Sequence, residues 1–510
     1  MKSNVSKWVC LLLALVLLLS ATFSLVSCKD GPEDPKSTSA GTGESDQSGG
    51  TGESEDDNPD PLHYLPDTTF EDDNHGKFII LCRDQGNEIF RESSEGDIID
   101  YAIYMRNTEV EERYKITMSY TSIDYWTVPD WVQTVIKAGD TSSVDLVSGQ
   151  FVFSSNVAVN GDAKNWYEVP HIDLTKKWWS RSNIEDLTMN DQAYLIIGDM
   201  LTSTIGLTYC MFYNLNLCER FGINTNDLYK LIAEDGGWTY DYMMTVIQDI
   251  REDLNNDNRY TSKDLYGLVT TNGSPMSTYF FAFNMPIFTT DENGDRDCTF
   301  FNDKTYNIVK RLVKLYHRTD GCFFFSNQSL ADCAEMFADE RAVFVNGQFQ
   351  FAMNQLRDMA SEKWMMAPYP KYNERQERYI TMTDGGHNAL ICPNFPGASD
   401  RKLEKLGVIT EALNCLSNKN VVPVYYERAL KSKYINDPRT AEMIDMLMEN
   451  RLFDFGYCYL AFESPLVWTN DLITNGSDKL ANYYASKKDE LESKIKKIFL
   501  AFGMEYGGLA

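Results

Sequence analysis

The sequence lacks the short motifs that identify several common classes of enzyme. It contains no HExxH zinc motif, no G-x-S-x-G nucleophile turn, no G-x-x-x-x-G-K-[ST] phosphate loop and no G-x-G-x-x-G dinucleotide loop. Its five histidines lie far apart in the chain, at His63, His75, His171, His317 and His387. Carboxylates are so numerous that a glycosidase pair is not recognisable, because the separation that such a pair needs is a distance in the folded protein. The sequence therefore predicts no catalytic residue.

Paired cysteines and positive charge are also scarce. No two of the 11 cysteines form a CxxC pair, and the nine that follow Cys28 are an odd number. This pattern indicates neither a zinc site nor a dense disulfide framework, and buried apolar cysteines are the simplest interpretation. The 47 Lys and Arg residues against 75 Asp and Glu residues give a formal net charge of −28. A nucleic acid or an anionic lipid surface is therefore an unfavourable partner, because like charges repel.

The amino-terminal region has the pattern of an exported protein. Lys2 and Lys7 precede an apolar stretch from Val9 to Val26, which ends in a Leu-Val-Ser-Cys box at Cys28. This pattern predicts a lipoprotein signal peptide over residues 1–28, with lipidation of Cys28, and a transmembrane anchor is the alternative. Residues 29–75 are mostly Gly, Ser, Thr, Pro, Asp and Glu. Such a composition predicts a disordered acidic tether between the membrane and the folded part.

Residues 76–510 mix strand patterns with helix patterns. The apolar run Phe78–Cys82 predicts a strand, apolar residues at helical spacing follow between Ile99 and Tyr114, and alternation from Ile116 to Tyr120 predicts a second strand. A strand, a helix and a strand in this order predict a parallel crossover unit. Thr239 is expected to cap a helix. The sequence therefore predicts an α/β protein with more than one lobe.

One polar loop has the spacing of a calcium site. Oxygen-bearing side chains stand at positions 1, 3, 5, 9 and 12, and position 7 offers a backbone carbonyl. These predicted metal ligands are Asp253, Asn255, Asp257, Arg259, Thr261 and Asp264. Asn replaces the usual glycine at position 6, and Asp replaces the usual glutamate at position 12, so a solvated polar loop is the alternative. A calcium ion would be structural, and no cofactor for catalysis is expected.

Several motifs, in their order along the chain, resemble one known family. They are an apolar run ending in Asn and Gly within 212–223, Gly237-Trp238-Thr239, the segment 337–349 with Asn346-Gly347, and the segment 426–454. Together with the Cys28 box in front, they resemble the extracellular solute-binding proteins of bacterial ABC importers. The resemblance is to the sugar-binding branch related to maltose-binding protein, and it spans nearly all of residues 76–510.

This resemblance implies a two-lobe periplasmic-binding-protein-like fold of type II, with a hinge of crossing strands. The expected crossings are Thr204–Tyr209, Tyr379–Thr383 and Leu430–Lys433. The first lobe is then expected to comprise residues 76–206 plus 384–430, and the second to comprise residues 207–383 plus 431–510.

The resemblance also implies where a solute binds. Phe349 is expected to stack on a sugar after an Asn-Gly turn, and the hydrogen-bonding and aromatic candidates are Asp145, Gln150, Asp199, Gln348, Asn388 and Trp468. Trp178 and Trp179 are expected to lie in the core. A monomer that captures a carbohydrate-like solute for an ABC permease, without being an enzyme, is the function implied. A secreted enzyme acting on polysaccharide and a surface adhesion protein are the alternatives.

Overall fold

The computed structural model describes residues 60–84, 88–292, 294–360, 363–425 and 438–509. The predicted signal peptide, the lipidation at Cys28 and the third crossing at Leu430–Lys433 lie outside these ranges. Within the described ranges, no helix combines the length and the apolar character that crossing a membrane requires.

The described strands contribute to two main sheets and two short pairs. They are β1 (Lys77–Arg83), β2 (Thr117–Ile123), β3 (Leu146–Gln150), β4 (Ala163–Lys164), β5 (Tyr209–Asn214), β6 (Arg251–Glu252), β7 (Leu265–Thr271), β8 (Phe288–Thr290), β9 (Arg296–Cys298), β10 (Cys322–Phe325), β11 (Ala342–Gln348), β12 (Trp364–Ala367), β13 (Thr381–Met382), β14 (Asn388–Pro393) and β15 (Arg451–Leu452).

The described helices cover these sheets and fill the carboxyl-terminal part of the chain. They are α1 (Ile98–Tyr114), α2 (Val128–Ala138), α3 (Phe151–Val159), α4 (Arg181–Leu187), α5 (Ser203–Gly206), α6 (Leu215–Arg220), α7 (Thr225–Ala233), α8 (Tyr240–Ile247), α9 (Ser274–Ala282), α10 (Asp303–Arg318), α11 (Leu330–Ala338), α12 (Gln350–Met353), α13 (Asp400–Leu416), α14 (Pro438–Glu449), α15 (Phe455–Leu460), α16 (Pro465–Thr474) and α17 (Leu480–Ala501).

The first sheet has the strand order β2-β1-β3-β14-β4. β1 pairs in parallel with both β2 and β3, whereas β14 runs antiparallel to β3. The predicted crossover unit is confirmed, because α1 joins β1 to the parallel neighbour β2. Asp97 starts α1 by accepting hydrogen bonds from two backbone N–H groups, and Lys115 ends it in the left-handed conformation.

The second sheet has the order β10-β7-β11-β5-β12, and β6 pairs with the first two residues of β7. β7 is parallel to β10 and β11, and β5 runs antiparallel to β11 and β12. Every residue of β7 and β11 is buried, as expected for strands with helices on both faces. The predicted cap of α8 is confirmed, since Thr239 accepts a hydrogen bond from the N–H of Tyr242.

The chain passes between the two sheets where two of the predicted crossings lie side by side. Thr208 and Thr383 form an antiparallel bridge, and the Thr381 hydroxyl donates to the carbonyl of Tyr209 at 2.7 Å. β13 also pairs with β15. The two predicted crossings therefore lie next to each other, but residues 204–206 of the first form part of helix α5 instead of a strand. Each sheet is built from discontinuous stretches of chain.

The carboxyl-terminal helices contact elements on both sides of the hinge. α15 packs against α3, which follows the first sheet's β3, while α16 packs against α9 and α10 beside the second sheet. The stretch 438–509 is therefore shared between the two halves, although residues 431–510 were predicted to belong to the second lobe.

The predicted tether of residues 29–75 is wrong in its last part. Leu62 and Phe70 are fully buried, and the Asp60 carboxylate pairs with Arg113 of α1 at 2.8 Å. The Tyr64 ring stacks on Trp178 with the centroids 5.7 Å apart. Residues 60–75 belong to the folded part, because a few apolar side chains within a polar segment are enough to anchor it to a large core.

Candidate functional site

The carboxyl ends of β1, β2 and β3 meet at one edge of the first sheet, because these strands are parallel. In open α/β sheets, ligands bind in the crevice outside this edge. Arg83 is the last residue of β1, and Asp84 follows it. Asp124 follows β2, and Gln150 is the last residue of β3. The first sheet therefore presents charged and amide side chains where a solute is expected.

Four aromatic residues cluster beside the same edge, and we call them the aromatic shelf: Tyr125, Trp126, Phe153 and Phe462. The Tyr125 ring lies 4.6 Å from Trp126 and 5.0 Å from Phe153, and Phe153 lies 4.8 Å from Phe462. Trp126 is 52% exposed and Phe462 is 59% exposed. Large aromatic rings left exposed next to one another are typical of a binding surface.

The backbone next to Phe462 adopts a conformation that is unfavourable for its residue. Ala461 has φ 48° and ψ −121°, in the region that favours glycine. Such a conformation costs about 1–3 kcal/mol, and residues in it are concentrated at binding and catalytic sites. This turn ends α15 and carries Phe462 to the side of Phe153, so it completes the aromatic shelf from the carboxyl-terminal part of the chain.

The turn Asp384-Gly385-Gly386 follows the second crossing and leads into β14 of the first sheet, and we call it the hinge turn. The Tyr209 hydroxyl donates to one oxygen of Asp384 at 2.9 Å, and the N–H of Gly386 donates to the other at 2.8 Å. The N–H of Gly385 donates to the Tyr457 hydroxyl at 3.2 Å. A Cβ at Gly385 would lie 2.5 Å from Val152, so glycine is required for this close approach. These bonds fix the Asp384 carboxylate at the hinge.

Arg83 supplies a positive charge near the hinge turn. Within the described part of the chain, its Nε atom is buried and has no hydrogen-bond partner. Burial lowers the pKa of Arg83, and the nearby charges of Glu88, Asp84 and Asp384 oppose this shift. A buried donor without a partner is costly, so a ligand oxygen at this position would gain a charge-assisted hydrogen bond.

Glu88 connects the loop after β1 to residues just before the first crossing and just after the second crossing. Its carboxylate accepts hydrogen bonds from the Ser203 hydroxyl at 2.6 Å, the Thr202 hydroxyl at 3.2 Å and the Asn388 side-chain amide at 2.8 Å. Burial raises the pKa of Glu88, and the bonds from Ser203 and Asn388 oppose this shift. We interpret this network as the part that holds the hinge in place.

Of the predicted solute-binding residues, Gln150 and Asn388 lie at the edge described above. They stand opposite each other in the register of β3 and β14. Asn388 is fully buried and its side chain bonds to Glu88, so we assign it a role in positioning the loop after β1. Gln150 is partly exposed and remains a candidate for contact with a solute.

The prediction for Asp145 is wrong, because the residue precedes β3 and lies at the opposite edge of the sheet from Gln150. Asp145 is 1% exposed, and its carboxylate pairs with Lys402 at 2.7 Å and with Lys405 at 3.3 Å. It also accepts a hydrogen bond from the N–H of Ile79 at 2.8 Å. Asp145 therefore joins α13 to the first sheet and does not face a solute.

The predicted Asn-Gly turn before Phe349 does not exist. Asn346 and Gly347 lie within β11 and pair with Met211 and Cys210 of β5. Phe349 follows the strand and is fully buried, so its ring is not available to stack on a sugar in this structure. Gln348 is also buried, and its side-chain oxygen accepts a hydrogen bond from Gln350 at 2.7 Å.

Asp199, which is partly exposed, and Trp468, which is buried, both have partners within the protein. The Asp199 carboxylate accepts a hydrogen bond from Asn418 at 2.7 Å, and burial raises its pKa to about 6. Trp468 is largely buried on α16, with its ring stacked on Phe301 at a centroid separation of 6.0 Å. The expectation that Trp178 and Trp179 lie in the core is confirmed, since both indoles donate to the Glu411 carboxylate.

The loop with calcium spacing is closed by its own hydrogen bonds. The buried Asp264 carboxylate accepts from the N–H groups of Leu254 and Thr261, and Asp253 accepts from the N–H of Asn258. Among the described residues, no group of three or more His, Cys, Asp and Glu side chains is close enough to hold a metal ion. Calcium binding to this loop stays a prediction.

Sequence reasoning did not select any member of the aromatic shelf. Trp126 follows a predicted strand by a few residues, and this position at a carboxyl strand end is a signal that could have identified it. Phe462 carries no such signal, because it reaches the shelf from the carboxyl-terminal part of the chain.

Comparison with solved structures establishes the fold. The GacH receptor of Streptomyces glaucescens, studied in unliganded form and with acarbose, has a TM-score of 0.53 and is 11% identical, covering 82% of this chain and 99% of that chain. The maltose/maltodextrin-binding domain MalE of Bdellovibrio bacteriovorus, bound to maltotriose, has a TM-score of 0.51 and is 12% identical. The match covers 81% of this chain and 100% of that chain.

UgpB of Mycobacterium tuberculosis, in complex with glycerophosphocholine, has a TM-score of 0.51 and is 14% identical, covering 82% of this chain and 98% of that chain. No protein-family model matches the chain, and a search of curated proteins gave no match either. At these identities the likeness concerns the fold. The chain therefore has the α/β fold of the sugar-type solute-binding proteins of ABC transporters.

Proposed function

We propose that this protein captures a carbohydrate-like solute at the edge where its two sheets meet and delivers it to an ABC importer. The observation that carries this proposal is the exposed aromatic shelf beside Asp84, Arg83 and the hinge turn. Sugar rings present C–H faces that pack on aromatic rings, while their hydroxyls bond to carboxylates, amides and guanidinium groups. The shelf and its polar neighbours offer both kinds of contact.

Capture would be coupled to movement at the hinge. A solute stabilises a closed state when only that state contacts it from both halves at once. The fold supports this mechanism, because paired strands at Thr208 and Thr383 connect the two sheets. A permease that recognises the closed state would then accept only the loaded protein, which we propose acts as a monomer.

An enzyme acting on polysaccharide is the alternative function. The solved structures of the same fold named above are binding proteins, which supports binding without bond cleavage. The two functions differ in what happens to the sugar. Tryptophan fluorescence titrated with a panel of mono- and oligosaccharides should change saturably, and chromatography of the mixture should return the sugar unaltered. Accumulation of shorter products would instead establish the enzyme, and no response to any sugar would contradict both.

We also propose that the protein is held at the extracellular face of the cell membrane by a lipid on Cys28. The support is the Leu-Val-Ser-Cys box after the apolar stretch and the acidic segment that follows it. Two acyl chains on one cysteine suffice for stable anchoring. Mass spectrometry of the mature chain should find a diacylated Cys28 at its amino terminus, and the variant Cys28→Ser should remain unlipidated and uncleaved at this site. An unmodified Cys28 in membrane-bound protein would contradict the proposal.

A further inference from the structure

A groove on the second half of the molecule concentrates positive charge, and we call it the cationic groove. It has a volume of about 510 Å³ and lies between the end of α9, the start of α10 and the loop that leads into β13. Lys304, Arg375 and Arg378 line it, together with Tyr372, and Glu377 is its only lining carboxylate among the described residues. Such an excess of cations contrasts with the formal net charge of −28 for the chain.

Lys304 has a charge that nothing in the described part of the chain neutralises by an ion pair. Its ammonium donates to the carbonyl of Asn284 at 3.0 Å and lies 5.3 Å from the centre of the Tyr372 ring. Burial lowers the pKa of Lys304, and no nearby carboxylate opposes this shift. Partly buried charges are usually paired, so the ammonium lacks the counter-charge that its environment favours.

The loop that carries the two arginines is held by several hydrogen bonds. The Gln376 side-chain amide donates to the carbonyls of Ala282 at 2.8 Å and Arg378 at 2.9 Å, and its oxygen accepts from the N–H of Tyr372 at 3.1 Å. Arg311 donates to the carbonyl of Tyr372 at 3.0 Å. The main chain of the groove is therefore fixed before any ligand binds, which lowers the entropic cost of binding.

The acidity of the whole chain does not prevent an anion from binding in this groove. At physiological ionic strength the screening length is about 8 Å, so charges on other faces have little effect. Among the residues that line the groove, three are cations and one is a carboxylate. Arginine forks and a lysine ammonium are the groups that bind tetrahedral oxyanions and carboxylates in proteins.

We propose that the cationic groove is a second binding site, which takes the phosphate or carboxylate group of a small anionic solute between Lys304, Arg375 and Arg378. This site is separate from the aromatic shelf and does not depend on the function proposed for it. The anion supplies the counter-charge that Lys304 lacks, and the two exposed arginines close around its oxygens.

Isothermal titration of the full chain with inorganic phosphate, and separately with malonate, in low-salt buffer tests the proposal. We expect saturable binding of at least one of the two anions, with the tighter one identifying the preferred group. Lys304→Gln and Arg375→Gln should each weaken that binding by roughly tenfold. Lys497→Gln on α17 is the matched control, because it removes one cation from another face, and it should bind as the unchanged protein does.

Three results would overturn the proposal. The first is that neither anion binds at millimolar concentration. The second is that Lys304→Gln binds the anion as tightly as the control Lys497→Gln does. The third is that Lys304→Gln, Arg375→Gln and Lys497→Gln all lose binding to the same extent. Arg375 is exposed, so its replacement keeps the experiment decisive even if Lys304→Gln unfolds. A sugar that binds at the aromatic shelf should retain its affinity in Arg375→Gln, which separates failure of this proposal from failure of the proposed function.

Discussion

Trp126→Ala should weaken solute binding by a calculable amount without unfolding the protein. A tryptophan side chain has about 250 Å² of surface, and 52% of Trp126 is exposed. About half of that exposed area would be covered by one sugar ring, and at about 25 cal/mol per Å² this contact contributes about 1.5 kcal/mol. The dissociation constant of Trp126→Ala should therefore rise by about tenfold.

Calorimetric titration measures this effect with the sugar that raises the melting temperature most in a thermal-shift screen. Tyr167→Ala is the matched control, because Tyr167 is also 52% exposed and follows β4, which pairs with the end of β14 at the opposite edge of the first sheet. The control should keep the affinity of the unchanged protein. Equal affinities for Trp126→Ala and Tyr167→Ala, in a protein that binds the sugar, would refute the assignment of the aromatic shelf.

Three further predictions concern other parts of the molecule. Phe70→Ala should lower the free energy of unfolding in urea by about 3–5 kcal/mol, because Phe70 is fully buried. Leu500→Ala, at a 72% exposed position, should have little effect. Equal losses of unfolding free energy in the two variants would contradict the folding of residues 60–75. Burial raises the pKa of Asp454 from 3.8 to about 7, so the stability that its protonated form provides is lost as the pH rises from about 4 to about 7. The melting temperature should therefore fall more between about pH 5 and about pH 7.5 in the unchanged protein than in Asp454→Asn, and parallel profiles would contradict this. If residues 253–264 bind calcium, the melting temperature should be higher in about 1 mM calcium than in EGTA, and Asp257→Asn should show a smaller increase. A melting temperature that calcium does not raise would contradict the site.

Local patterns predicted those parts of the fold that depend on neighbouring residues. The β1-α1-β2 unit and the Thr239 cap follow from periodicity and hydrogen-bonding chemistry within a short stretch of chain. The hinge positions at Thr208 and Thr383 came from the family resemblance, and the structure confirms that they pair. Order along the chain was sufficient for these features.

The candidate site was predicted poorly, because small local errors have large consequences in a sheet. Asp145 was expected to bind the solute, but it precedes β3 and therefore lies at the opposite end of this strand from Gln150. Asn346 and Gly347 have the composition of a turn, yet their pairing with β5 holds them in β11. Pairing in a sheet can override local turn preference, and sequence alone does not show such neighbours.

The tether was overextended for a different reason. Average composition over residues 29–75 hides a few apolar side chains, and Phe70 is sufficient to bring the last part of that segment into the core. The aromatic shelf was missed because it depends on tertiary contacts, with Phe462 placed against Phe153 by the turn at Ala461.

The most direct test of the account is a crystal structure of the protein with its tightest-binding sugar. We expect the sugar ring to pack on Trp126 and Phe462, with hydroxyls within hydrogen-bonding distance of Arg83 and of a carboxylate at the hinge. A sugar bound away from this edge, or one that leaves the aromatic shelf exposed to solvent, would contradict the account.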